Sequence, residues 1–386
     1  MIPSEAEVRN AVFNLNHDSA PRPDGFGASF FQQYWEIVRK DVYDAVLQFF
    51  QTGWLPSNYN ANTLILIPKT PNVDIDQYRP LALSNFKFKI ILKVLAYSLS
   101  QFLPNLISKE QRGFIKGRNL KDCIALTSEA INVLDKKSFG WNLAMKIDVS
   151  KAFDTLSWEF LIYVLEKFGF NQTFRNWITS ILLSANISIS INGAQQGYFK
   201  CNRGVRQGDP LSPLLFCIAE EVLSRGIRKL VEEGKVDLIK ASRSAYIPSH
   251  CVYADDLMVF CKGKQSSLEA LKDLFTRYAG CSRQVMNLSK SSIFAGGVSE
   301  ARLNNMKVLL GFSIGTLPFT YLSAPIFKGR PKKIHLQLIA DRVRIKLANR
   351  KAALLSIAGR VQLVKFVVQS MLIHTMNVVI PQILTS

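Results

Sequence analysis

Apolar positions recur at helical spacing over residues 26–50, and that pattern ends at Gly53. A short β-prone run, 63–67, is closed by Pro68. Over 88–103 the apolar positions 88, 91, 92, 95, 99, 102 and 103 share one helical face, and Pro104 is expected to stop the helix. The period then changes. Leu143, Met145, Ile147 and Val149 alternate with Ala144, Lys146 and Asp148, which predicts a strand. A helix is expected from near Ser157 to Gly169. Another begins at Ser212-Pro213, read as an N-cap and first-turn pair, and runs to Gly234. Residues 250–261 form an apolar run broken by Asp255-Asp256, which predicts two short strands with the acidic pair near the turn. Ser266 and Glu269 make a capping box for a helix whose apolar face is Leu268, Leu271, Leu274, Phe275 and Tyr278, with Gly280 beyond it. Strands and helices mix without regular βαβ alternation, so the predicted fold class is α+β.

Composition changes this picture in one respect. The chain has 386 residues and 48% hydrophobic content, enough to build a core of two or three packed subdomains without disulfides. Its 48 Lys and Arg against 29 Asp and Glu leave a net charge of +19. An excess of that size points to a polyanionic partner. Residues 326–366 concentrate it, with eleven basic residues and one acidic, Asp341. The segment is helical in pattern and reads either as a solvated face or as a phosphate-binding one. The six cysteines and four histidines show no Cys-x-x-Cys pair and no Cys/His cluster, so structural zinc is not expected and free thiols are. The N-terminus has no signal-peptide pattern. The apolar stretch 366–384 is interrupted by Gln369, Ser370, His374, Asn377, Pro381 and Gln382, so it reads as a buried helix or partner surface, not a membrane span. An intracellular protein is expected.

The candidate chemistry lies in carboxylates. Asp148 ends an alternating strand, and Asp255 and Asp256 interrupt an apolar run. Acidic residues form strands poorly and are costly to bury, so these positions call for an offsetting cation. Magnesium fits, because it takes hard oxygen ligands and commonly binds one or two carboxylates plus substrate phosphates. Two such ions can activate an attacking oxygen and stabilise a leaving one in phosphoryl transfer. A plain polar turn at Asp255-Asp256 is the alternative.

The surroundings bear on that choice. The run Lys146-Ile147-Asp148-Val149-Ser150-Lys151-Ala152-Phe153-Asp154 is followed by Arg203-Gly204-Val205-Arg206-Gln207-Gly208-Asp209-Pro210-Leu211-Ser212-Pro213, and then by Tyr253-Ala254-Asp255-Asp256. Further blocks are Pro23-Asp24-Gly25-Phe26, Leu66-Ile67-Pro68-Lys69, Tyr78-Arg79-Pro80-Leu81, Gly113-Phe114-Ile115-Lys116-Gly117-Arg118, the stretch 287–291, and Tyr321-Leu322 with Phe327-Lys328-Gly329-Arg330. In this order and spacing the chain resembles the reverse transcriptase domain of plant-type LINE (non-LTR) retrotransposons, nearly end to end.

The resemblance implies a right-hand polymerase architecture of fingers, palm and partial thumb, the palm an antiparallel sheet covered by helices. The implied boundaries are 1–140 for the fingers with an N-terminal extension, 141–329 for the palm with a primer-grip hairpin near 316–328, and 330–386 for a basic helical thumb. Asp148, Asp255 and Asp256 match the family's metal-binding triad, with two Mg²⁺ ions or Mn²⁺ as cofactor. Lys69 and Arg79 match residues holding the incoming triphosphate. Phe153 matches an aromatic steric gate against the 2′-hydroxyl, or is an ordinary core Phe. Gln207 and Gly208 match a block lining the nucleotide, or form a helix cap; Asp209 reads as part of that cap. Lys290 matches a lysine that protonates pyrophosphate, or is a solvated turn lysine. Lys116, Arg118, Tyr321, Leu322, Lys328 and Arg330 fall in blocks expected to touch template or primer. The implied partners are an RNA template, a DNA primer and dNTPs, and the implied location is the nucleus.

Three positions depart from the family's pattern. Arg22 and Ser323 stand where Gly is usual, and Arg350 replaces an aromatic. If position 323 needs positive φ, its side chain is strained by about 1 kcal/mol or more. The resemblance also implies an upstream endonuclease and further downstream domains, so the chain reads as a segment or a truncated copy. Two alternatives follow: a catalytically inactive nucleic-acid-binding remnant, and a group II intron maturase-like enzyme.

Overall fold

The structure is a computed structural model that describes residues 2–17, 24–68, 74, 78–241, 246–349 and 356–365. Arg22, Lys69, Arg350 and the apolar stretch 366–384 lie outside the described residues. Helix α1 (Glu5–Phe13) opens on a capping box in which Glu7 N–H donates to the Ser4 hydroxyl and Ser4 N–H donates to the Glu7 carboxylate. The helical pattern from residue 26 splits at Tyr34 into α2 (Ala28–Gln33) and α3 (Trp35–Thr52). Gly53 ends α3 at φ +69°, the left-handed cap that glycine adopts at least cost.

Strands β1 (Ala61–Pro68) and β2 (Tyr78–Ser84) pair antiparallel, with Ile67 opposite Arg79. Helix α4 (Phe86–Leu106) runs past Pro104. Proline was expected to stop it, but Arg118 donates to the carbonyls of Pro104 (3.2 Å) and Ile107 (2.8 Å), which satisfies this end from outside. After α5 (Leu120–Asn132) come β3 (Asn142–Asp148), the short α6 (Ala152–Thr155) and α7 (Trp158–Lys167). Ser157 caps α7 by accepting from Phe160 N–H.

Helix α8 (Gln172–Leu183) leads to a hairpin of β4 (Asn186–Ile191) and β5 (Ala194–Lys200). Its turn residues Asn192 and Gly193 have φ of +50° and +83°, the signs a tight two-residue hairpin turn requires. β4 lies parallel to β1, giving a four-stranded sheet in the order β2-β1-β4-β5. The β4–β5 hairpin, from beyond residue 140, thus completes the sheet that β1 and β2 begin.

Helix α9 (Ser212–Glu232) begins one residue earlier than expected, with Leu211 as N-cap and Ser212 already helical. Strands β6 (His250–Tyr253) and β7 (Asp256–Lys262) form the predicted hairpin. Helix α10 (Gln265–Ser282) also differs at both ends: Lys264 is its N-cap, without the Ser266 box, and Gly280 lies inside it. The Ser282 carbonyl accepts from Ser157 N–H (2.9 Å), and that tertiary bond carries the helix beyond its glycine. There follow β8 (Ser292–Ala295), α11 (Glu300–Leu310), β9 (Ser313–Ile314), β10 (Phe319–Tyr321), β11 (Ala324–Ile326), α12 (Lys333–Asn349) and α13 (Ile357–Leu363).

The second sheet has the order β6-β7-β3-β8-β9, antiparallel except between β8 and β9. The period of two sorts its side chains. Leu143, Met145, Ile147, Leu257 and Val259 pack with α7, α9 and α10 in the larger core. Ala144, Met258 and Phe260 face a smaller core made by α5 and the β10–β11 hairpin.

The turn of the β10–β11 hairpin holds Leu322 at φ +47° and Ser323 at φ +66°. The sign at 323 is the one glycine tolerates, so the substitution carries the strain anticipated for it. Ser323→Gly is expected to raise stability by about 0.5 kcal/mol, the relief of left-handed strain less the added entropy of the unfolded chain. A urea melt should show a higher midpoint with an unchanged slope.

Candidate active site

The β6–β7 hairpin closes on two residues, Ala254 and Asp255, with Ala254 at φ +56°. Asp256 is the first residue of β7 and lies directly opposite Asp148, the last residue of β3. Directly opposed side chains in an antiparallel pair project to one face, with Cβ atoms about 5 Å apart. Asp255 stands beside them in the turn. All three are half-buried.

Crowding and burial act on these acids together. Burial raises the Asp255 carboxyl above its ordinary value; a bond to its own backbone lowers it, the charge on Asp148 raises it and Arg79 lowers it. Asp256 is pushed up to about 6, first by burial, then by Asp255 and Asp148, with Lys146 opposing. The two opposing cations come from different sheets: Arg79 from β2, and Lys146 from β3, two residues before Asp148 and on its face. Lys146 Nζ also donates to the Thr320 carbonyl at 3.2 Å, tying β3 to β10. Beneath the hairpin, Glu220 of α9 is buried and accepts from the Tyr278 hydroxyl at 2.9 Å. Burial pushes Glu220 up to about 8, with Asp255 adding to the rise. Lys146 and Glu220 were not singled out from the sequence, although the i, i+2 spacing of Lys146 and Asp148 on a strand is a signal for the first.

Hard oxygen donors with raised proton affinity suit a hard divalent cation. Among the described residues no group of three His, Cys, Asp or Glu side chains is gathered closely enough to hold a metal by itself. The six cysteines are unpaired thiols.

Several predicted residues surround the carboxylates. A turn at 287–291 holds both sides of Asp148: Asn287 N–H donates to its carbonyl (2.7 Å), and its own N–H donates to the Ser291 hydroxyl (3.2 Å). Lys290 is exposed in that turn. The half-buried Phe153 ring stacks on Phe216 at 4.3 Å. Gly208 has φ +104°, and its carbonyl accepts from Lys89 Nζ at 3.2 Å. Gln207 precedes it, half-buried, and lines a cavity of about 240 Å³ between the first sheet and α7–α9. Asp209 is buried, paired with Arg206 at 2.9 Å and accepting from the Ser84 hydroxyl at 2.8 Å; it joins this loop to the end of β2.

Others take different places. The Tyr321 side chain is 0% exposed, in the smaller core beside Cys251, so the part expected to touch primer faces inward. The Arg118 guanidinium donates to carbonyls of Pro104, Ile107, Ser108 and Gln111, so its donors are taken up inside the chain. Lys328 forms an ion pair with Asp135. Lys116 and Arg330 are exposed, and Leu322 is half-buried at the hairpin turn.

Both carboxyl shifts run upward, so the folded state holds these protons more tightly than the unfolded chain, whose aspartates titrate near about 3.9. Stability of the metal-free protein should therefore fall as pH rises from about 4 through about 6. Asp256→Asn removes part of this repulsion. In EDTA at pH 7.5 it should be more stable than the wild type by on the order of 1–2 kcal/mol, after allowance for solvent screening. The difference should vanish below about pH 4 in denaturant melts.

Residues 67–326 match the family described as Reverse transcriptase (RNA-dependent DNA polymerase). The chain is 29% identical over 288 residues to the transposon TX1 uncharacterized 149 kDa protein of Xenopus laevis, covering 74% of this chain and 21% of that protein. It is 26% identical over 283 residues to a retrovirus-related Pol polyprotein from a type-1 retrotransposable element R2 of Nasonia vitripennis, covering 69% and 26%. It is 27% identical over 271 residues to the corresponding R2DM polyprotein of Drosophila melanogaster, covering 70% and 24%. The chain thus spans about a quarter or less of the length of these relatives. Matched over most of its length, carrying the ordered blocks and opposing two aspartates across an antiparallel pair, the chain belongs to the reverse transcriptase (RNA-dependent DNA polymerase) family.

Proposed function

We propose that this chain extends a DNA primer on an RNA template, joining dNTPs to the primer 3′-hydroxyl with release of pyrophosphate. The observation that carries the reading is the meeting of Asp148, Asp255 and Asp256 at the ends of β3 and β7, with cations from both sheets directed at them. In this reading the second sheet with α7, α9 and α10 is the palm. The first sheet is the fingers, and includes the β4–β5 hairpin as well as residues 1–140. Residues 330–386 begin a basic thumb.

The roles follow from chemistry at each position. Mg²⁺, or Mn²⁺ in its place, would be held by the three aspartates together with substrate phosphates, and would supply a more acidic 3′-hydroxyl and neutralisation of phosphate charge. Arg79, already within electrostatic reach of Asp255, clamps the triphosphate as a bidentate donor, with Lys69 as its partner. Gln207 and Gly208 line the nucleotide. Phe153, fixed by its stack on Phe216, closes the space a 2′-hydroxyl would need. Lys290, in the turn that grips Asp148, donates a proton to pyrophosphate as it leaves. Lys116, Lys328 and Arg330 contact template and primer phosphates, and Leu322 meets the primer from the hairpin tip. Tyr321 supports that hairpin from within the core. Such phosphate contacts carry affinity and salt dependence, not sequence choice.

Primer extension on poly(rA)·oligo(dT) with dTTP and Mg²⁺ tests this directly. The wild type is expected to extend, and Asp255→Asn to lose at least about a hundredfold in rate while still binding the duplex. Equal rates for the two proteins would remove Asp255 from the reaction. Phe153→Ala should lower the preference for dTTP over UTP by about tenfold or more. Unchanged discrimination would return Phe153 to an ordinary core role.

A further inference from the structure

The hairpin that carries Asp255 and Asp256 has an outer edge, because β6 is the terminal strand of its sheet. The chain covers that edge with residues 110–113. Val252 N–H donates to the Glu110 carbonyl (2.9 Å), and Arg112 N–H donates to the Val252 carbonyl (2.8 Å). Gln111 sits between these bonds as a parallel bridge to Val252.

The Gln111 side chain is 1% exposed. Its Oε1 accepts from Gly113 N–H at 2.8 Å and from Ala254 N–H at 3.3 Å. Two N–H donors fix which end of the amide faces them, since only the oxygen can accept. Ala254 is the left-handed residue immediately before Asp255, a conformation that costs a non-glycine residue about 1 kcal/mol and needs outside support. Gly113 is pressed on the same point: a Cβ there would lie 2.5 Å from the Ala254 nitrogen. Gln111 is itself held from behind, because its main-chain carbonyl accepts from Arg118 at 2.6 Å.

We propose that Gln111 is a positioning residue for the reaction, bracing the Ala254 turn so that Asp255 and Asp256 are held at the end of β3, and that Arg118 acts one step further back by holding Gln111. The bracing rests on these contacts; its bearing on turnover rests on the polymerase reading above. Gln111 touches neither substrate nor reacting atoms. It acts through one backbone N–H, as outer groups do around metal-binding side chains.

Amide hydrogen exchange of Ala254 in metal-free protein is the primary test, with Gln111→Met and Gln111→Glu beside the wild type. Methionine keeps the volume and removes the acceptor; glutamate keeps an acceptor oxygen. Gln111→Met is expected to speed exchange at Ala254 about tenfold while other amides of β3 and β7 stay within about twofold, and Gln111→Glu to restore protection. Mn²⁺ affinity, read by electron paramagnetic resonance, should fall about tenfold in Gln111→Met. Should that variant not fold, Arg118→Lys, which keeps the charge and loses the fork, should speed Ala254 exchange about threefold. Unaltered exchange at Ala254, faster exchange throughout the sheet, or unaltered Mn²⁺ affinity would overturn the proposal. A wild type that extends no primer, with the exchange contrast intact, would count against the polymerase reading and for the brace.

Discussion

Everything at this site depends on keeping three carboxylates together against their own repulsion. Asp148 and Asp256 are forced onto one face by strand register, and Asp255 follows in the turn. Burial and mutual charge raise Asp255 and Asp256, so the arrangement opposes folding whenever no cation offsets it. The surrounding structure must hold what electrostatics would separate. The turn at 287–291 bonds to both sides of Asp148, and the strip at 110–113 covers the outer edge of β6. Arg79, from the first sheet, relieves part of the repulsion at Asp255, and Lys146, from the second, at Asp256. A site loosened by its own charge has little residual tolerance, which accounts for backbone bonds on both strands that carry its aspartates.

The base of the same hairpin is fixed by polar groups buried in the core. The His250 ring bridges Ser224 and Ser249 at 2.8 Å each, and Ser224 continues to the Ser108 hydroxyl at 2.8 Å. The Glu221 carboxylate accepts from Ser108 and from Arg225. Burial pushes His250 down to about 4, so near neutral pH it is an uncharged ring that can donate at one nitrogen and accept at the other. A chain of directional bonds among α9, the loop after α4, and the start of β6 allows few alternative alignments. An apolar joint there would be as cohesive but less specific about register, and register is what opposes Asp256 to Asp148.

The elements most legible in the sequence are those whose stability is decided locally or by a strict period. The alternation of β3 predicts both its strand and its two faces, and Ser157 marks the start of α7. Boundaries fail where a distant group intervenes. Helix α4 runs two residues past Pro104, with Arg118 donating to the Pro104 and Ile107 carbonyls at its end, and α10 runs past Gly280, with the Ser282 carbonyl bonded to Ser157. The β4–β5 hairpin has a local signal of its own, isoleucines at 187, 189 and 191 before Asn192-Gly193. At the site the aspartates are legible because acids in an apolar run demand an explanation. Tyr321 and Arg118 are not, because a motif block identifies a segment without saying which way a side chain turns. That direction is set by tertiary surroundings: the carbonyls of 104–111, in the preceding helix end and loop, for Arg118, and the core around Cys251 for Tyr321.

The same distinction applies to the charge. A net +19 reads as a surface property, yet several cations are taken up inside the fold. Arg206 pairs with Asp209, reaches Asn60 and lies over the Phe88 ring. Arg112 pairs with Asp122 at 2.6 Å, and Arg118 serves four carbonyls. Removing these would damage the scaffold first and polyanion binding only indirectly. The cations of α12 are differently placed: Lys333, Arg342 and Arg344 are exposed, and the only acid on that helix is Asp341. Arg344 pairs with Asp341 at 3.8 Å, and the helix carries more basic than acidic side chains. Arg112, Arg118 and Arg206 thus set geometry, while the late basic helix presents charge, and a count of basic residues cannot distinguish the two.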